Sequence, residues 1–307
     1  MGKIAVTLQQ ALARREQEGA RGGTNARGLA QGAGWDVADV LCTLGPRDQP
    51  FEERHGGVCI AMVVAGSFGY RTAPGRELLT PGALLLGNAG DCFECGHRHG
   101  AGDRCIAFRY APAYFERLAA DAGVASGKLN FKRARLPSLR ALSPLIARAC
   151  AGACGDGSGA AAWDELAVEL AAAALNASGA LTRPEPSASA TAWSRVAQIA
   201  RVIDETPGAP HTLANLAAAA GLSEFHFLRT FQRVVGVTPH QYLLRARLRA
   251  AALRLREVED ERAGGAKVVD IALDCGFNDL SNFNHAFRAE FASSPRAWRA
   301  RGGARRP

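Results

Sequence analysis

The sequence predicts an α+β protein, with a strand-rich N-terminal half and an all-α C-terminal domain. Between residues 35 and 110, short apolar runs are separated by glycine and proline, which is typical of short strands joined by turns. From residue 191 onward, apolar residues recur at helical spacing, and two short glycine-containing turns interrupt them. This second pattern indicates paired helix–turn–helix units. The chain has 307 residues, which is room for about two domains.

The strand-rich half has the pattern of a small antiparallel β-barrel or jelly roll with flanking helices. Residues 1–34 are rich in Gly, Ala and Arg without a clear period, so we expect a partly disordered segment or one short helix near 7–18. The domain itself is expected to cover 35–177. Its predicted strands include 58–65, 66–71, 83–86 and 105–110, and its predicted helices are 114–122, 136–154 and 160–177. The last two helices either form a dimerisation hairpin or close the open side of the barrel.

A linker is expected between the two halves. Residues 178–190 contain two prolines and several small residues, a composition that does not form a packed core. The net charge of the chain is +8, and residues 191–307 carry 17 Lys and Arg against 11 Asp and Glu. This excess favours an anionic partner such as nucleic acid, although a solvated basic face has the same composition. We expect the helical domain at 191–299 and a basic tail at 300–307.

Two helix–turn–helix patterns follow one another in the helical domain. In the first, helices at 213–220 and 224–235 flank a turn, and Ser223 is suited to cap the second helix. In the second, helices at 268–274 and from Asn278 or Asp279 to 291 flank a similar turn. A helix predicted at 239–256 joins the two units. It would span roughly 27 Å at about 1.5 Å per residue, the scale of the ~34 Å between successive major grooves.

These residues resemble the DNA-binding domain of AraC/XylS-type transcriptional regulators. The first half of the resemblance rests on 213–217, 221–223, Phe231, Gly236 and 238–239. The second half rests on 270–272, 275–277, 281–283, Phe287, Phe291 and 294–298. It covers about residues 193–299. It implies a sequence-specific, effector-responsive regulator that acts with RNA polymerase, and more often an activator than a repressor.

The resemblance also implies which side chains contact DNA. Arg229 suits guanine and Asn284 suits adenine, because each can form a bidentate contact with that base. The implied base-reading positions are Phe225, His226, Leu228, Arg229 and Gln232 on the first recognition helix, and Leu280, Ser281, Asn284 and His285 on the second. Candidate phosphate contacts, each equally compatible with a solvated surface arginine, are Arg233, Arg245, Arg288 and Arg299.

Two positions depart from the family pattern. Ala292 stands where the family usually has a glycine, which would cap the end of the second recognition helix. We therefore expect this helix to end in another way. The connector 257–267 (EVEDERAGGAK) is longer and more acidic than the family's usual link, so equal engagement of DNA by both units is not assured.

The strand-rich half resembles, more loosely, the cupin-like sensory domain that often precedes this DNA-binding pair. Residues 81–82, 84–86 and 88–90 carry the resemblance. It implies a barrel that binds a small-molecule effector, followed by helices that often mediate homodimerisation.

A cluster of thiols and imidazoles lies in the same half. Its candidate metal ligands are Cys92, Cys95, His97, His99 and Cys105. Cys-x2-Cys followed by His-x-His offers the sulfur and nitrogen donors that zinc or another thiophilic metal prefers. Two alternatives stay open: thiols beside Arg98 or Arg104 that react with electrophiles or oxidants, and core cysteines with no special chemistry.

The sequence thus predicts a cytoplasmic, sequence-specific DNA-binding transcriptional regulator and not an enzyme. Its expected partners are double-stranded DNA, RNA polymerase, a small-molecule or metal effector and a second copy of the chain. No apolar stretch approaches the ~20 residues that span a bilayer, and residues 1–10 lack a signal-peptide pattern.

Three alternatives from other classes are kept. One is a metal- or thiol-responsive repressor or sensor. Another is a metal-dependent cupin enzyme using Glu94, His97 and His99, for which the further acid and the later histidine are not evident. The third is an architectural DNA-binding protein, which would not need the N-terminal half.

Overall fold

A computed structural model describes residues 3–98, 100–122, 130–154, 160–180, 189–256 and 266–303. The described N-terminal half forms ten strands: β1 Thr24–Gly32, β2 Trp35–Cys42, β3 Phe51–Arg54, β4 Val58–Gly66, β5 Phe68–Thr72, β6 Gly75–Leu79, β7 Leu84–Gly87, β8 Cys92–Gly96, β9 Asp103–Tyr110 and β10 Arg135–Leu136. The protein is α+β, as predicted. None of the described helices is long and apolar enough to cross a membrane.

The ten strands form two antiparallel sheets that face each other. The first sheet has the order β1-β2-β9-β4-β7-β10 and the second the order β3-β8-β5-β6. One apolar cluster contains residues from both sheets, such as Val63 and Cys105 from the first and Tyr70 and Cys95 from the second. The space between the sheets is therefore a filled core. We call residues 24–136 the two-sheet domain.

The outer face of the first sheet is covered by four helices. They are α1 Lys3–Glu18, α2 Pro112–Asp121, α3 Ser143–Cys154 and α4 Ala160–Ala180. Leu8, Phe115, Ile146 and Leu170 from these helices are buried in one cluster with strand residues such as Phe108. The helices after the sheets thus cover this face. Whether they also mediate dimerisation stays a prediction.

Two N-terminal elements differ from the sequence-based expectation. Helix α1 begins at Lys3, and strand β1 pairs with β2 along its whole length. Strand β1 is mostly exposed, so it lacks the apolar alternation that predicts a strand.

The helix predicted at 136–154 begins only at Ser143. Before it, β10 pairs with Leu84 and Leu85, and Pro137 follows at once, where a helix would lose a backbone hydrogen bond.

The C-terminal half is helical. Its helices are α5 Ala190–Glu205, α6 Leu213–Ala219, α7 Glu224–Val235, α8 Pro239–Arg254, α9 Val268–Asp274, α10 Leu280–Phe291 and α11 Pro295–Gly303. Most of these bounds agree with the predictions to within one or two residues. Helix α5 begins at Ala190, the last residue of the expected linker, and α11 was not predicted as a separate helix. The acidic connector lies largely outside the described residues.

Each helix–turn–helix unit has its own core, and α8 contributes to both. Phe227, Phe231 and Tyr242 belong to the first cluster. Phe283 and Phe287 belong to the second, together with Leu248 from the C-terminal part of α8. Helix α8 therefore joins the two units through packed apolar contacts.

The end of α10 corrects one expectation. Ala292 adopts the left-handed conformation, with φ 50°, the conformation that the C-cap glycine of this motif supplies. The equivalent residue after α7 is Gly236, with φ 89°. The second recognition helix thus ends in the same way as the first, with an alanine in a conformation that costs an L-residue roughly 1–2 kcal/mol.

The two halves of the chain contact each other at the C-terminal ends of both recognition helices. Arg135 Nη1 donates to the carbonyl of Val235 at the end of α7, at 2.6 Å. Ser143 Oγ donates to the carboxylate of Glu290 near the end of α10. Leu78 from β6 is buried in the core of the first unit. The N-terminal ends of α7 and α10 take no part in these contacts.

Candidate nucleic-acid interface and buried ligand cluster

The first recognition helix, α7, begins at an exposed, capped end. The side chain of Ser223 accepts from the backbone of His226, and its hydroxyl lies 3.1 Å from Nδ1 of the same histidine. Phe225 is 64% exposed. The guanidinium of Arg229 lies 5.6 Å from the centre of the Phe225 ring. A cation and an aromatic ring thus stand together on the open face of the helix.

The side chains of α7 divide between a buried face and an open face. Phe227 and Phe231 are fully buried. Leu228 is half-buried at the edge of the open face. The remaining predicted positions, Phe225, His226, Arg229, Gln232 and Arg233, are exposed. Side chains of the open face are therefore free to contact a ligand.

The second recognition helix, α10, repeats this arrangement. The carboxylate of Asp279 accepts from the backbone of Ser281 at 2.8 Å and from that of Asn282, which caps the helix start. Leu280 is 40% exposed. Of the other predicted positions, Ser281, His285 and Arg288 are exposed and Asn284 is half-buried. Both recognition helices thus present an apolar residue in the first turn and polar groups behind it.

One of the four candidate phosphate contacts, Arg245, is wrong, and Arg299 stays a prediction. Arg245 is largely buried and donates to the carbonyl of Ser138 in the N-terminal half, with Glu290 3.6 Å away. Arg299 donates to the carbonyl of Ala266 at 2.8 Å. Both guanidiniums donate to the protein's own carbonyls, but Arg245 is largely buried whereas Arg299 is half-buried. Arg233 and Arg288 are exposed and stay candidates.

The predicted metal ligands do not come together as one set. Cys92 and Cys95 lie on strand β8, where residues three apart point to opposite faces; Cys92 is exposed and Cys95 is buried. His99 lies outside the described residues. Of the predicted set, Cys95, His97 and Cys105 are buried.

A different group of donors comes together among the described residues. Cys42, His97 and Asp103 are all buried, and one ligand atom from each lies within 4.8 Å of the others. Nε2 of His97 lies 2.6 Å from a carboxylate oxygen of Asp103. Cys42 lies 55 positions before His97 in the chain, so spacing within the Cys92–Cys105 segment could not reveal it. The signal that identifies it is the pairing of β2 with β9, in which Cys42 is opposite Asp103.

Burial and hydrogen bonds shift the pKa values of the cysteines and of His97. Burial raises the pKa of the Cys95 and Cys105 thiols well above the ordinary value, which argues against these two as reactive thiolates. Burial alone would lower the pKa of His97. The hydrogen bond to Asp103 and the neighbouring Cys42 outweigh burial and raise that pKa to about 9.

A pocket of about 520 Å³ lies between the N-terminal half and the helical half. Helix α1 and the end of β4 line one side, and α5, α8 and α9 line the other. Its polar wall includes Asp204, which lies 3.3 Å from a guanidinium nitrogen of Arg249. Burial raises the pKa of Asp204 to about 6, although Arg249 and Tyr242 act in the opposite direction.

Comparison with known proteins supports the interpretation of the helical half as a helix-turn-helix domain. The family described as "Helix-turn-helix domain" matches residues 216–301. The HTH-type transcriptional regulator MtrA of Neisseria gonorrhoeae is 32% identical over 105 residues, which are 34% of this chain and 33% of MtrA. The HTH-type transcriptional activator RhaS of Escherichia coli O139:H28 (strain E24377A / ETEC) is 46% identical over 68 residues, which are 22% of each chain. The match thus spans a third or less of these curated relatives.

A solved structure is similar over the same region. The DNA-binding domain of AdpA, in complex with a target DNA, is 33% identical and matches 37% of this chain and 96% of that chain, with a TM-score of 0.33. Residues 216–301 match the helix-turn-helix family, and both capped recognition helices lie within this range.

Proposed function

We propose that this protein is a sequence-specific DNA-binding transcriptional regulator. The observation that carries the proposal is the pair of recognition helices, each with a capped, exposed N-terminal end and each packed against α8. Helix α8 has 16 residues and spans about 24 Å at about 1.5 Å per residue. Two helices held at this scale can enter successive major grooves of one duplex.

The exposed side chains support base recognition. Arg229 can donate two hydrogen bonds to one guanine, and Asn284 can make a bidentate contact with adenine. Phe225 and Leu280 can contact thymine methyl groups, for which apolar side chains are suited. The exposed arginines at 233 and 288 can contact phosphates and fix the register of the helices on the duplex.

The pocket between the halves suits the effector step of the proposal. A ligand shifts a conformational equilibrium only when it binds one arrangement better than the other. A molecule in this pocket would contact α1, α5 and α8 at once, so its affinity would depend on how the two halves are placed. We propose that a small-molecule effector biases DNA binding in this way, in a cytoplasmic homodimer that acts with RNA polymerase.

The enzyme alternative has little support. The cupin-enzyme hypothesis used Glu94, His97 and His99 as metal ligands. Glu94 instead forms an ion pair with Arg71 on the outside of the second sheet, while His97 points into the core and is 5% exposed. The curated relatives that match the helical half are named as transcriptional regulators.

The test is a selection of bound sequences from random duplexes, followed by affinity measurements with single-base variants of the selected site. Arg229→Ala should cost about 1–3 kcal/mol at one base position and relax specificity there. Arg14→Ala is the matched control, because Arg14 is an exposed helical arginine on α1. An equal loss on every sequence would make Arg229 a phosphate contact. If no duplex sequence were enriched, the proposed function would be wrong.

A further inference from the structure

The interior of the two-sheet domain contains a group of metal-ligating side chains that DNA binding does not use. Cys42 ends strand β2, Asp103 begins strand β9, and the two are opposite each other in the antiparallel register. His97 follows strand β8 of the other sheet. The three residues are 3%, 5% and 5% exposed for Cys42, His97 and Asp103. Both sheets therefore contribute to one buried cluster.

The His97 ring interacts with both other members of the cluster. Nε2 of His97 is bound to Asp103 at 2.6 Å. Within the described part of the chain, Nδ1 of the same ring is buried and lacks a close hydrogen-bond partner, and the Cys42 thiol interacts with the ring. The sulfur of Cys42, a ring nitrogen of His97 and a carboxylate oxygen of Asp103 thus lie within 4.8 Å of one another.

A second thiol lies next to this group of three. The Sγ atom of Cys105 donates a hydrogen bond to the Oδ1 atom of Asp103 at 3.3 Å. Cys105 shares the inward face of β9 with Asp103, because residues two apart on a strand point the same way. The mutually close donors are thus one thiol, one imidazole and one carboxylate, with the Cys105 thiol behind the carboxylate.

We propose that Cys42, His97 and Asp103 form a binding site for a zinc-class divalent metal ion inside the two-sheet domain. The donor set favours zinc over calcium or magnesium, because thiolate and imidazole ligands suit zinc and all-oxygen sites suit the other two. A metal ion bound at this position would also affect the pocket between the two halves of the chain. The loop from His97 to Asp103 includes Ala101, which lines the pocket between the two halves, so a bound ion would hold one wall of that pocket.

The test uses the full chain, freed of metal with a chelator, kept reduced and titrated with Co²⁺ without oxygen. We expect one equivalent to bind with a thiolate-to-cobalt charge-transfer absorption in the near ultraviolet, and Zn²⁺ to displace it. Cys42→Ala and His97→Gln should weaken binding at least about tenfold, the lower end of the range for loss of even an outer-shell partner. Cys92→Ser is the matched control, because Cys92 is an exposed cysteine on strand β8 of the same domain.

The result that would overturn the site is equally specific. Folded wild-type protein that binds no stoichiometric Co²⁺ would refute it, as would binding that is lost in Cys92→Ser and kept in Cys42→Ala. Should the buried variants fail to fold, X-ray absorption of the cobalt-loaded wild type decides. A first shell with sulfur together with nitrogen and oxygen supports the site, and a shell without sulfur refutes it. None of these results depends on DNA binding.

Discussion

At the scale of single residues, His55 makes the folding stability of the two-sheet domain depend on pH. Its ring is buried, stacks on Phe93 with a 4.2 Å centroid separation, and lies 2.7 Å from the hydroxyl of Tyr70. Burial lowers the pKa of His55 from 6.5 to about 4, against a smaller opposite effect of Asp91. The folded state therefore favours the neutral ring.

The sign of this shift gives a prediction. Since the folded pKa lies below the unfolded pKa, the stabilisation is fully present above pH 6.5 and is lost as pH falls toward 4. The loss is about 3 kcal/mol at about 1.36 kcal/mol per pKa unit. The free energy of unfolding, measured with denaturant between pH 7 and 4, should fall by this amount in the wild type. Its slope against pH should be shallower in His55→Asn. The exposed His240 provides the control His240→Asn, and an unchanged slope in His55→Asn would contradict the prediction.

Single residues also show where sequence reasoning ends. The exposed Arg229 and the buried Phe231 could be assigned from helical period alone, because three to four residues per turn fix which positions share a face. The partner of His97 could not be assigned in this way. Cys42 reaches the cluster through the register between β2 and β9, and register over such a separation is set by tertiary packing, which a single sequence does not show.

At the scale of elements, the capping residues that mark helix ends decide how well an element can be predicted. Helices α7 and α10 begin directly after Ser223 and Asp279, whose side chains accept backbone hydrogen bonds, so capping chemistry reveals these starts. Strand β1 has no such signal. It is a polar edge strand, and its backbone pairing with β2 does not depend on an apolar side-chain pattern.

The end of α10 offers a prediction about this element. Ala292→Gly should raise the free energy of unfolding by about 0.5–1 kcal/mol, because glycine adopts φ 50° without the side-chain clash, less the entropy that glycine adds to the unfolded chain. The measurement is denaturant unfolding of the full chain. Gly236→Ala in the first unit is the reciprocal control and should destabilise, because its φ is 89° and a Cβ there would lie 2.5 Å from Cβ of Pro137. Destabilisation by Ala292→Gly would contradict the argument.

At the scale of the whole molecule, the N-terminal half supports both recognition helices from behind. Arg135 holds the end of α7, and Ser143 and Arg140 hold the end of α10 through Glu290 and the carbonyl of Ala289. Arg245 on α8 links Ser138 with Glu290. The exposed starts of both helices stay open, and these contacts at the helix ends set how far apart the two starts lie.

This support predicts how DNA affinity depends on a buried hydroxyl far from the DNA-contacting side chains. Ser143 is 8% exposed and Glu290 is 7% exposed, and a hydrogen bond to a charged group contributes about 1.5–3 kcal/mol. Ser143→Ala should loosen the second unit and lower the effective concentration at which it meets its half-site. We expect a loss of about tenfold in affinity, or 1.4 kcal/mol, for a duplex with two half-sites, and no loss for a duplex with the first half-site alone.

Titration of fluorescent duplexes measures both affinities under the same salt conditions, which matters because phosphate contacts make binding salt-dependent. Ser178→Ala is the matched control, since Ser178 is a partly buried serine whose hydroxyl donates to the carbonyl of Leu175 in its own helix α4. An equal loss on both duplexes would mean that Ser143 acts on the fold of the whole domain. A loss confined to the two-site duplex would show that the N-terminal half sets the spacing of the two units, which is the quantity that an effector in the adjacent pocket would have to change.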